Sequence, residues 1–252
     1  MRNPASVSFC AVPLSQLRQP GPPCIAWSAT PSPLVLRDED IHLWLADCDD
    51  PGWQPVPLAA VLDAGEQDRA ARFHFDRDRH RYIVRRALLR EIIAGYLAKD
   101  PAELRFTANA RGKPELTGDP AGSGLQFNLS TTGPSALYGF TRRRKIGIDI
   151  EETRREVNWR DIASQYFHPH ELAVIQAAPE SGSLDAFFAY WTMKEAWIKA
   201  RGAGLQRPLL ETDFTPVLHH GGRLLKDRDG AAWLCATFPV QPHYTAALCV
   251  EA

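Results

Sequence analysis

The sequence predicts an α+β protein of two similar lobes related by a pseudo-twofold axis, each a small, largely antiparallel sheet packed with helices. The chain has 252 residues, which is enough for one large domain or two small ones. Strand-like alternation and helix-like periodicity follow one another in the same order twice, and no short period indicates a solenoid. Two such lobes leave a cleft between them, where a ligand is expected to bind.

Three segments are expected along the chain: an extended lead-in over 1–36, an N-terminal lobe over 37–143 and a C-terminal lobe over 144–252. The lead-in is rich in proline, serine and small residues, with "RQPGPPCIAWSATPSP" as its clearest stretch. We expect little chemistry in this part of the chain.

The N-terminal lobe begins with a strand and continues with helices. Residues Ile41 to Asp47 alternate in the manner of a strand, which "PGWQPVP" then ends. From Leu58 to about Leu97 the apolar period is helical, with an interruption near "RFHFDRD". Three short apolar runs follow, "ELRFTA", "LQFNLS" and "SALYGFT", and the Gly and Pro clusters between them predict an antiparallel meander.

The C-terminal lobe repeats this order. A strand from Ile146 to Glu151 precedes helical segments from about Trp159 to Ala177 and from Leu184 to Ala200. Strands are then predicted near "DFTPVL", "AWLCATF" and "YTAALCV". The second helical segment should end at Gly202 and Gly204, because glycine adopts the left-handed conformation that a helix C-terminus favours.

Two acidic side chains share one face of the strand in "KIGIDIEE" (Lys145 to Glu152). The three isoleucines fall on one face, so that Gly147, Asp149 and Glu151 fall on the other. The two acidic side chains are rooted about 6.6 Å apart and repel by roughly 2–3 kcal/mol at an effective dielectric near 20. A magnesium ion would offset that repulsion, whereas an edge strand with one wet face needs no ligand, and these residues alone leave both interpretations open.

A third acid lies on the apolar stripe of the helix in "FFAYWTMKEAWIKARGAGL". Glu195 shares this stripe with Phe188, Trp191 and Ile198, and an inward-facing glutamate needs a partner. Lys199 could form an ordinary i,i+4 ion pair with it, worth about 0.2–0.5 kcal/mol when exposed. Alternatively, if the strand packs beside this helix, the three acids form a magnesium site and Lys199 is left to meet a phosphate, which is typical of phosphoryl transfer.

Together these segments resemble the paired signature of the 4'-phosphopantetheinyl transferase superfamily, in its long, single-chain, pseudo-dimeric type. "GIDIE" is followed about forty residues later by "WTMKEAWIK". Four more segments occur in the family's order: "RAARFHFDRDRHR", "RGKPEL", "FNLS" and "YFHPHEL". The resemblance extends from about Gly65 to Leu205, and the flanking segments are compatible with it.

The resemblance implies transfer of the phosphopantetheine arm of coenzyme A to a serine hydroxyl of an apo carrier protein, with release of 3',5'-ADP. Acyl, peptidyl or aryl carrier domains of fatty-acid, polyketide or nonribosomal-peptide synthesis are the implied partners, and the sequence does not distinguish among them. Magnesium is the implied cofactor.

The resemblance also assigns roles to individual residues. Asp149, Glu151 and Glu195 would hold the metal, Glu195 would act as the general base, and Lys199 would stabilise the leaving phosphate. The residues implied to bind the coenzyme are Arg69, Arg111, Lys113, Asn128, Ser130, Thr131, Asp149 and Lys199.

One residue departs from the family's pattern. A histidine that contacts the 3'-phosphate of the coenzyme usually follows the serine of "NLS", whereas this chain has Thr131. Threonine keeps a hydroxyl donor but cannot carry the positive charge. We therefore expect weaker discrimination against dephospho-coenzyme A than in a relative with the histidine.

Composition excludes several other classes of protein. The net charge of −1 gives no indication of nucleic-acid binding or a polybasic membrane anchor, and no apolar run approaches the roughly 18 residues that span a bilayer. Five cysteines without a CxxC pair argue against a disulfide framework and a zinc ribbon, so we expect a reducing cytoplasm. The protein is also expected to be a monomer. The pair His168 and His170 lacks zinc-ligand spacing and is interpreted as capping or surface residues.

Three hypotheses for the function follow. The first is the transferase, the second is a magnesium-dependent nucleotide or coenzyme phosphohydrolase that needs no carrier, and the third is a non-catalytic carrier-binding module of the same fold. The basic run "TRRRK" (Thr141 to Lys145) could receive an acidic carrier or form a solvated turn.

Overall fold

The computed structural model describes residues 7–19, 22–109, 112–118, 122–154, 156–202, 209–220, 223–226 and 230–252. The helices are α1 (Pro55–Ala59), α2 (Ala64–Ala71), α3 (Asp76–Leu97), α4 (Trp159–Tyr166), α5 (Pro169–Ala177), α6 (Glu180–Arg201) and α7 (Thr215–His220). The strands are β1 (Val7–Pro13), β2 (Asp40–Asp47), β3 (Phe106–Ala108), β4 (Pro114–Leu116), β5 (Leu125–Thr132), β6 (Ser135–Arg142), β7 (Ile146–Glu152), β8 (Arg223–Lys226), β9 (Ala232–Gln241) and β10 (Tyr244–Glu251).

The strands form two four-stranded antiparallel sheets, in the orders β1-β2-β6-β5 and β7-β10-β9-β8. A separate ribbon pairs β3 with β4. Each large sheet is associated with one long helix of 22 residues, α3 in the N-terminal lobe and α6 in the C-terminal lobe. The predicted α+β architecture of two lobes is therefore confirmed.

The molecule has four layers, because both large sheets bury two faces. Helix α3 packs on the outer face of the first sheet, in a core that includes Leu88 of the helix and Trp44 and Tyr138 of the sheet. Helix α6 packs in the same way on the second sheet. Between the sheets lies a core that combines residues of both lobes, including the three isoleucines of β7. The alternation in "KIGIDIEE" therefore places its acids on the side of β7 that faces α6.

Most predicted elements are present with shifted ends. The interruption of the first helical region lies at 72–75, between α2 and α3, and α6 ends at Gly202, whose φ of 65° is left-handed. Gly204 lies outside the described residues. The lead-in contributes a strand that was not predicted, because β1 pairs with β2 at the edge of the first sheet.

Two predicted strands are wrong in part or in whole. The run "ELRFTA" does not join a three-stranded meander, because its strand β3 pairs with β4 from the "RGKPEL" segment. The run "DFTPVL" forms helix α7 after its first two residues. Phe214 and Val217 are both buried and lie three residues apart, and the Asp213 Oδ1 accepts a hydrogen bond from the Thr215 N–H at 2.9 Å. This pattern suits a capped helical turn better than a strand.

Two further sequence expectations concern the surface. The basic run at 141–145 forms a turn that links strands of different sheets, with Arg143 at a φ of 61°. Arg144 lies 3.1 Å from the Glu39 carboxylate, and Arg142 donates to the Leu36 carbonyl oxygen at 2.8 Å. In the described part of the chain, no helix is both long enough and apolar enough to cross a bilayer.

Candidate active site

Close packing of β7 against α6 brings the predicted acids together. A Cβ atom at Gly147 would lie 2.0 Å from the Ala196 carbonyl oxygen and 2.2 Å from the Ala200 nitrogen. Only glycine therefore allows this approach of strand and helix. The strand then carries Asp149 and Glu151 past the turn of α6 that carries Glu195 and Lys199.

Lys199 pairs with the strand rather than with its own helix. Its Nζ lies 2.6 Å from Asp149 Oδ1 and 2.9 Å from Ser130 Oγ, and Ser130 Oγ donates to the same carboxylate oxygen at 2.7 Å. Asp149 is buried, whereas Lys199 is partly exposed. In the described residues Lys199 makes no ion pair with Glu195, so the ordinary i,i+4 pair is not the arrangement found.

Asp149 and Glu151 lie close enough to Glu195 for their charges to interact with its carboxylate. Burial raises the pKa of the Glu195 carboxyl, the negative charge of Asp149 adds to that rise, and Lys199 opposes it. Glu151 Oε1 accepts a hydrogen bond from Trp191 Nε1 at 3.2 Å. The second oxygen of Asp149, Oδ2, is buried without a hydrogen-bond partner among the described atoms.

These groups fit a hard divalent cation. A buried carboxylate oxygen without a partner is costly, and a cluster of three acids gains from a positive charge. The three acids are nevertheless farther apart than a coordination shell. In the described part of the chain only the side chains of His168, His170 and Asp213 bring three ligand atoms within 4.8 Å of one another.

A cleft of about 700 Å³ adjoins the acids and is lined by both lobes. Five of the residues predicted to bind the coenzyme line it: Arg69, Lys113, Asn128, Thr131 and Lys199. Ser130 and Asp149 lie beside the cleft, bonded to Lys199. Arg111 lies outside the described residues. The structure thus brings the predicted residues into one region, with Lys199 joining the cleft to the acids.

The cleft is positively charged, partly through residues that the sequence analysis did not identify. Arg85 and Arg86, adjacent residues nearly three turns into α3, also line it. Glu66 neutralises Arg86, with 2.6 Å between Arg86 Nε and Glu66 Oε1. Arg69 and Arg85 have no ion pair among the described residues, and Arg85 donates to the Gly133 carbonyl oxygen. The helical period of "RYIVRRALLRE" indicated a polar face, but it did not show that this face lines the cleft.

Two of the cleft residues hold the lobes together. Asn128 is buried, and its Oδ1 accepts a hydrogen bond from the Ile148 N–H of β7 at 2.9 Å. Lys113 Nζ donates to the carbonyl oxygens of Ile146, at 3.1 Å, and of Lys199, at 3.0 Å. Burial lowers the pKa of Lys113 to about 8.

A buried ion pair supports α6 directly beside Glu195. Lys194 Nζ lies 2.7 Å from Glu171 Oε2, and both side chains are fully buried. The Lys194 ammonium also donates to the Leu209 carbonyl oxygen at 2.7 Å, while Glu171 accepts from the Phe214 N–H at 2.9 Å. Burial lowers the pKa of Lys194 and raises that of Glu171, and the partner charge opposes each shift. The sequence analysis missed this pair, although a lysine within an otherwise apolar stretch of helix indicates a buried partner of opposite charge.

The predicted capping role of His168 is confirmed. His168 Nδ1 accepts a hydrogen bond from the His170 N–H at 3.2 Å and caps α5. His170 Nδ1 lies 2.8 Å from Asp213 Oδ2. Asp213, which the sequence did not place beside the pair, caps α7 with its other oxygen.

The chain is similar to known proteins over most of its length. The family profile described as "4'-phosphopantetheinyl transferase superfamily" matches residues 145–249, and the profile "4'-phosphopantetheinyl transferase, N-terminal" matches residues 52–138. The chain is 39% identical over 192 residues to the 4'-phosphopantetheinyl transferase HetI of Nostoc sp., covering 76% of this chain and 81% of that protein. It is 30% identical over 193 residues to the 4'-phosphopantetheinyl transferase Sfp of Bacillus subtilis, covering 75% and 82%.

Similarity to solved structures is limited. The holo-acyl-carrier-protein synthase AcpS of Thermotoga maritima matches 42% of this chain and 62% of its own, at 19% identity and a TM-score of 0.28. A match of that size adds nothing to the assignment, which depends on the two family profiles and the curated relatives.

Proposed function

The chain belongs to the 4'-phosphopantetheinyl transferase superfamily, and we propose from this premise that it transfers the 4'-phosphopantetheine arm of coenzyme A to a serine of an apo carrier protein. The observation that carries the proposal is the position of Lys199. Its side chain lines the basic cleft, and its ammonium is bonded to the buried Asp149 beside two further acids. A basic cleft that ends at an acidic cluster suits a nucleotide pyrophosphate held against a metal ion.

The reaction replaces the pyrophosphate anhydride bond of coenzyme A with a phosphate ester bond to serine. The serine oxygen forms a bond to the phosphorus that carries the pantetheine arm, and the bond from that phosphorus to the bridging pyrophosphate oxygen breaks. The electron pair leaves with the 5'-phosphate, so that 3',5'-ADP is released. The serine proton goes to a general base, for which Glu195 is the candidate, directly or through a water molecule.

The chain's own residues would position the coenzyme and stabilise the leaving group. Arg69, with no carboxylate partner in the described residues, lies in the cleft at the α2 side and is available to a phosphate. Lys199 lines the same cleft and would stabilise the charge that develops on the leaving phosphate. Asn128 and Thr131 of β5 also line the cleft, and Ser130 is bonded to Lys199 beside it.

Asp149, Glu151 and Glu195 are proposed to hold magnesium. When bound, the ion would neutralise charge on the pyrophosphate. Asp149 Oδ2, buried and without a partner among the described atoms, is the group that most needs such a cation.

The direct test is to incubate the protein with coenzyme A, magnesium and a panel of apo carriers, and then to weigh each carrier. The proposal predicts that at least one carrier gains the mass of phosphopantetheine and that 3',5'-ADP appears in equal amount. Release of 3',5'-ADP without a carrier would instead reveal the phosphohydrolase. Coenzyme and carrier binding without either product would indicate the non-catalytic module, against which the presence of all three acids and Lys199 argues.

Several finer features remain predictions from the sequence. These are the client carriers, the cytoplasmic location, the monomeric state, the lack of nucleic-acid and membrane partners, and the segment boundaries at 36/37 and 143/144.

A further inference from the structure

Lys113 joins the two lobes through backbone oxygens. It directly precedes β4, and its ammonium reaches the C-terminal lobe, where it donates to the carbonyl oxygens of Ile146 and Lys199 at 3.1 and 3.0 Å. Ile146 is the first residue of β7, and Lys199 lies in the last turn of α6. A single side chain therefore connects the hairpin that lines the cleft with both elements that carry the acids.

The local sequence fixes the position of this lysine. Asn109 accepts from the Lys113 N–H with its side-chain oxygen at 3.1 Å, and its own N–H donates to the Lys113 carbonyl oxygen at 2.9 Å. Gly112 has a φ of 79°, which a residue with a Cβ rarely adopts, and its N–H donates to the Asn109 carbonyl oxygen. Pro114 then begins β4. Asn109 therefore fixes the backbone of Lys113 through both its N–H and its carbonyl oxygen.

The environment of the Lys113 ammonium suits backbone oxygens. Burial lowers its pKa to about 8, and the charges of Lys145 and Lys199 act in the same direction. No ion pair of Lys113 is found in the described part of the chain, although Glu115 lies close enough to oppose the shift. The Lys199 carbonyl oxygen lies in the last turn of α6, where a cation is favourable, and it also accepts the capping hydrogen bond from the Gly202 N–H at 3.3 Å.

We propose that Lys113 is a positioning residue, whose ammonium fixes the start of β7 and the end of α6 relative to the cleft. The side chain of Lys199 is held by Asp149, and its backbone is held by Lys113. Asp149 lies three residues after Ile146 on the same strand. Removing the Lys113 ammonium therefore leaves the cleft in place but allows the catalytic lysine and the acids to shift. The proposal depends on the transferase function only for its kinetic readout.

The alternative role for Lys113 is a direct contact with a coenzyme phosphate, and kinetics distinguish the two. For Lys113→Met our proposal predicts that kcat falls by a factor of about ten or more, because small misplacements of reacting groups are costly. The KM for coenzyme A, and its Kd by titration calorimetry, should stay within about twofold of wild type. A phosphate contact predicts the reverse, with Kd and KM raised and kcat kept. Either that result or no change at all would overturn the proposal.

Further variants keep the test decisive. Lys99→Met removes an exposed lysine of the same lobe and should match wild type. Lys113→Arg should recover most of kcat, because a guanidinium can donate to both carbonyl oxygens, and an arginine variant as slow as Lys113→Met would contradict the proposal. If Lys113→Met does not fold, Lys113→Gln is measured in its place and judged by the same division between kcat and KM.

Hydrogen exchange gives a readout that does not need turnover. Amides at 146–148 and 199–202 should exchange faster in Lys113→Met than in wild type, while amides of α3 stay protected. Unchanged exchange at both segments would overturn the proposal. A wild-type protein that modifies no carrier would refute the proposed function instead, and the exchange result would still stand.

Discussion

Asp149 combines two different environments on one carboxylate. Oδ1 receives the Lys199 ammonium and the Ser130 hydroxyl, whereas Oδ2 is buried without a partner among the described atoms. A protein rarely leaves a buried carboxylate oxygen unbonded, because its desolvation is not compensated. Asp149 Oδ2 is therefore the atom that best supports the proposal that a cation completes this site.

Thr131 offers a residue-scale test of how the cleft recognises the coenzyme. Changing Thr131→His should raise the preference for coenzyme A over dephospho-coenzyme A about fivefold, because a charged hydrogen bond to the 3'-phosphate is worth about 1 kcal/mol or more. The ratio of kcat/KM for the two substrates measures this preference. Thr131→Val, which removes the hydroxyl, is the matched control. A preference in the wild type that the histidine does not increase would show that another cation already serves this phosphate.

At this scale the sequence identified the chemistry but not the contacts. The alternation in "KIGIDIEE" put Gly147, Asp149 and Glu151 on one face of the strand, and the close approach at Gly147 shows that this face lies against α6. The sequence could not show that Lys199 bonds Asp149 rather than Glu195, because that contact depends on how a strand and a helix about fifty residues apart are packed. For the same reason the two carbonyl oxygens bound by Lys113 could not be predicted.

The packing of β7 on α6 is the feature of the elements on which the site depends. The backbone of the strand lies against the backbone of the helix at Gly147, and the isoleucines on its other face fill the core between the sheets. Any side chain at this position would separate the two elements that carry the acids.

Gly147→Ala tests that packing. The added methyl group would overlap the Ala196 carbonyl oxygen, so the change should lower the free energy of unfolding by about 3 kcal/mol or more and reduce transfer further. Denaturant unfolding measures the first effect. Gly122→Ala is the matched control, since a Cβ there meets nothing within 4 Å and it should leave stability within about 0.5 kcal/mol of wild type. Equal stability of the two variants would contradict the described packing.

Long periodic elements could be predicted better than short ones. The apolar periods of α3 and α6 extend over 22 residues each, which is long enough to distinguish a helix from a strand. "DFTPVL" is too short for its apolar period to distinguish a strand from a helix. The hydrogen bond from the Thr215 N–H to the Asp213 side chain favours the helix. Strand β1 was not predicted, because it is a seven-residue edge strand followed by a proline-rich stretch, and its pairing with β2 is a contact between distant parts of the sequence.

Three large hydrophobic cores stabilise the fold: one between each large sheet and its long helix, and one between the two sheets. In the N-terminal core, the ring of His42 is buried between β2 and α3, with Nδ1 2.8 Å from Tyr96 Oη. Trp44 Nε1 can only donate, and it donates to the same Tyr96 oxygen at 3.0 Å. Tyr96 therefore donates to a neutral His42. Burial lowers the pKa of His42 to about 4 from an ordinary value of 6.5.

This histidine should make the stability of the fold depend on pH. Between pH 6.5 and 4 the unfolded chain binds a proton that the folded chain does not, so this contribution to stability is present above pH 6.5 and is lost as pH falls to 4. The loss amounts to about 3 kcal/mol. Unfolding of wild type and His42→Gln by denaturant at pH 7, 5.5 and 4 measures it, and His42→Gln should show a shallower decline. Parallel declines in the two proteins would contradict the assignment.

Asp149, Glu151 and Glu195 are proposed to hold one metal ion against the coenzyme, beside the cleft between the lobes. Crystals grown with coenzyme A and Mn²⁺, which replaces Mg²⁺ because its anomalous scattering identifies it, give the most direct test. We expect a single anomalous peak within bonding distance of oxygens of all three acids and of the pyrophosphate, with Lys199 beside it. A coenzyme bound in the cleft, with the three carboxylates turned apart and no peak among them, would refute the proposed metal site.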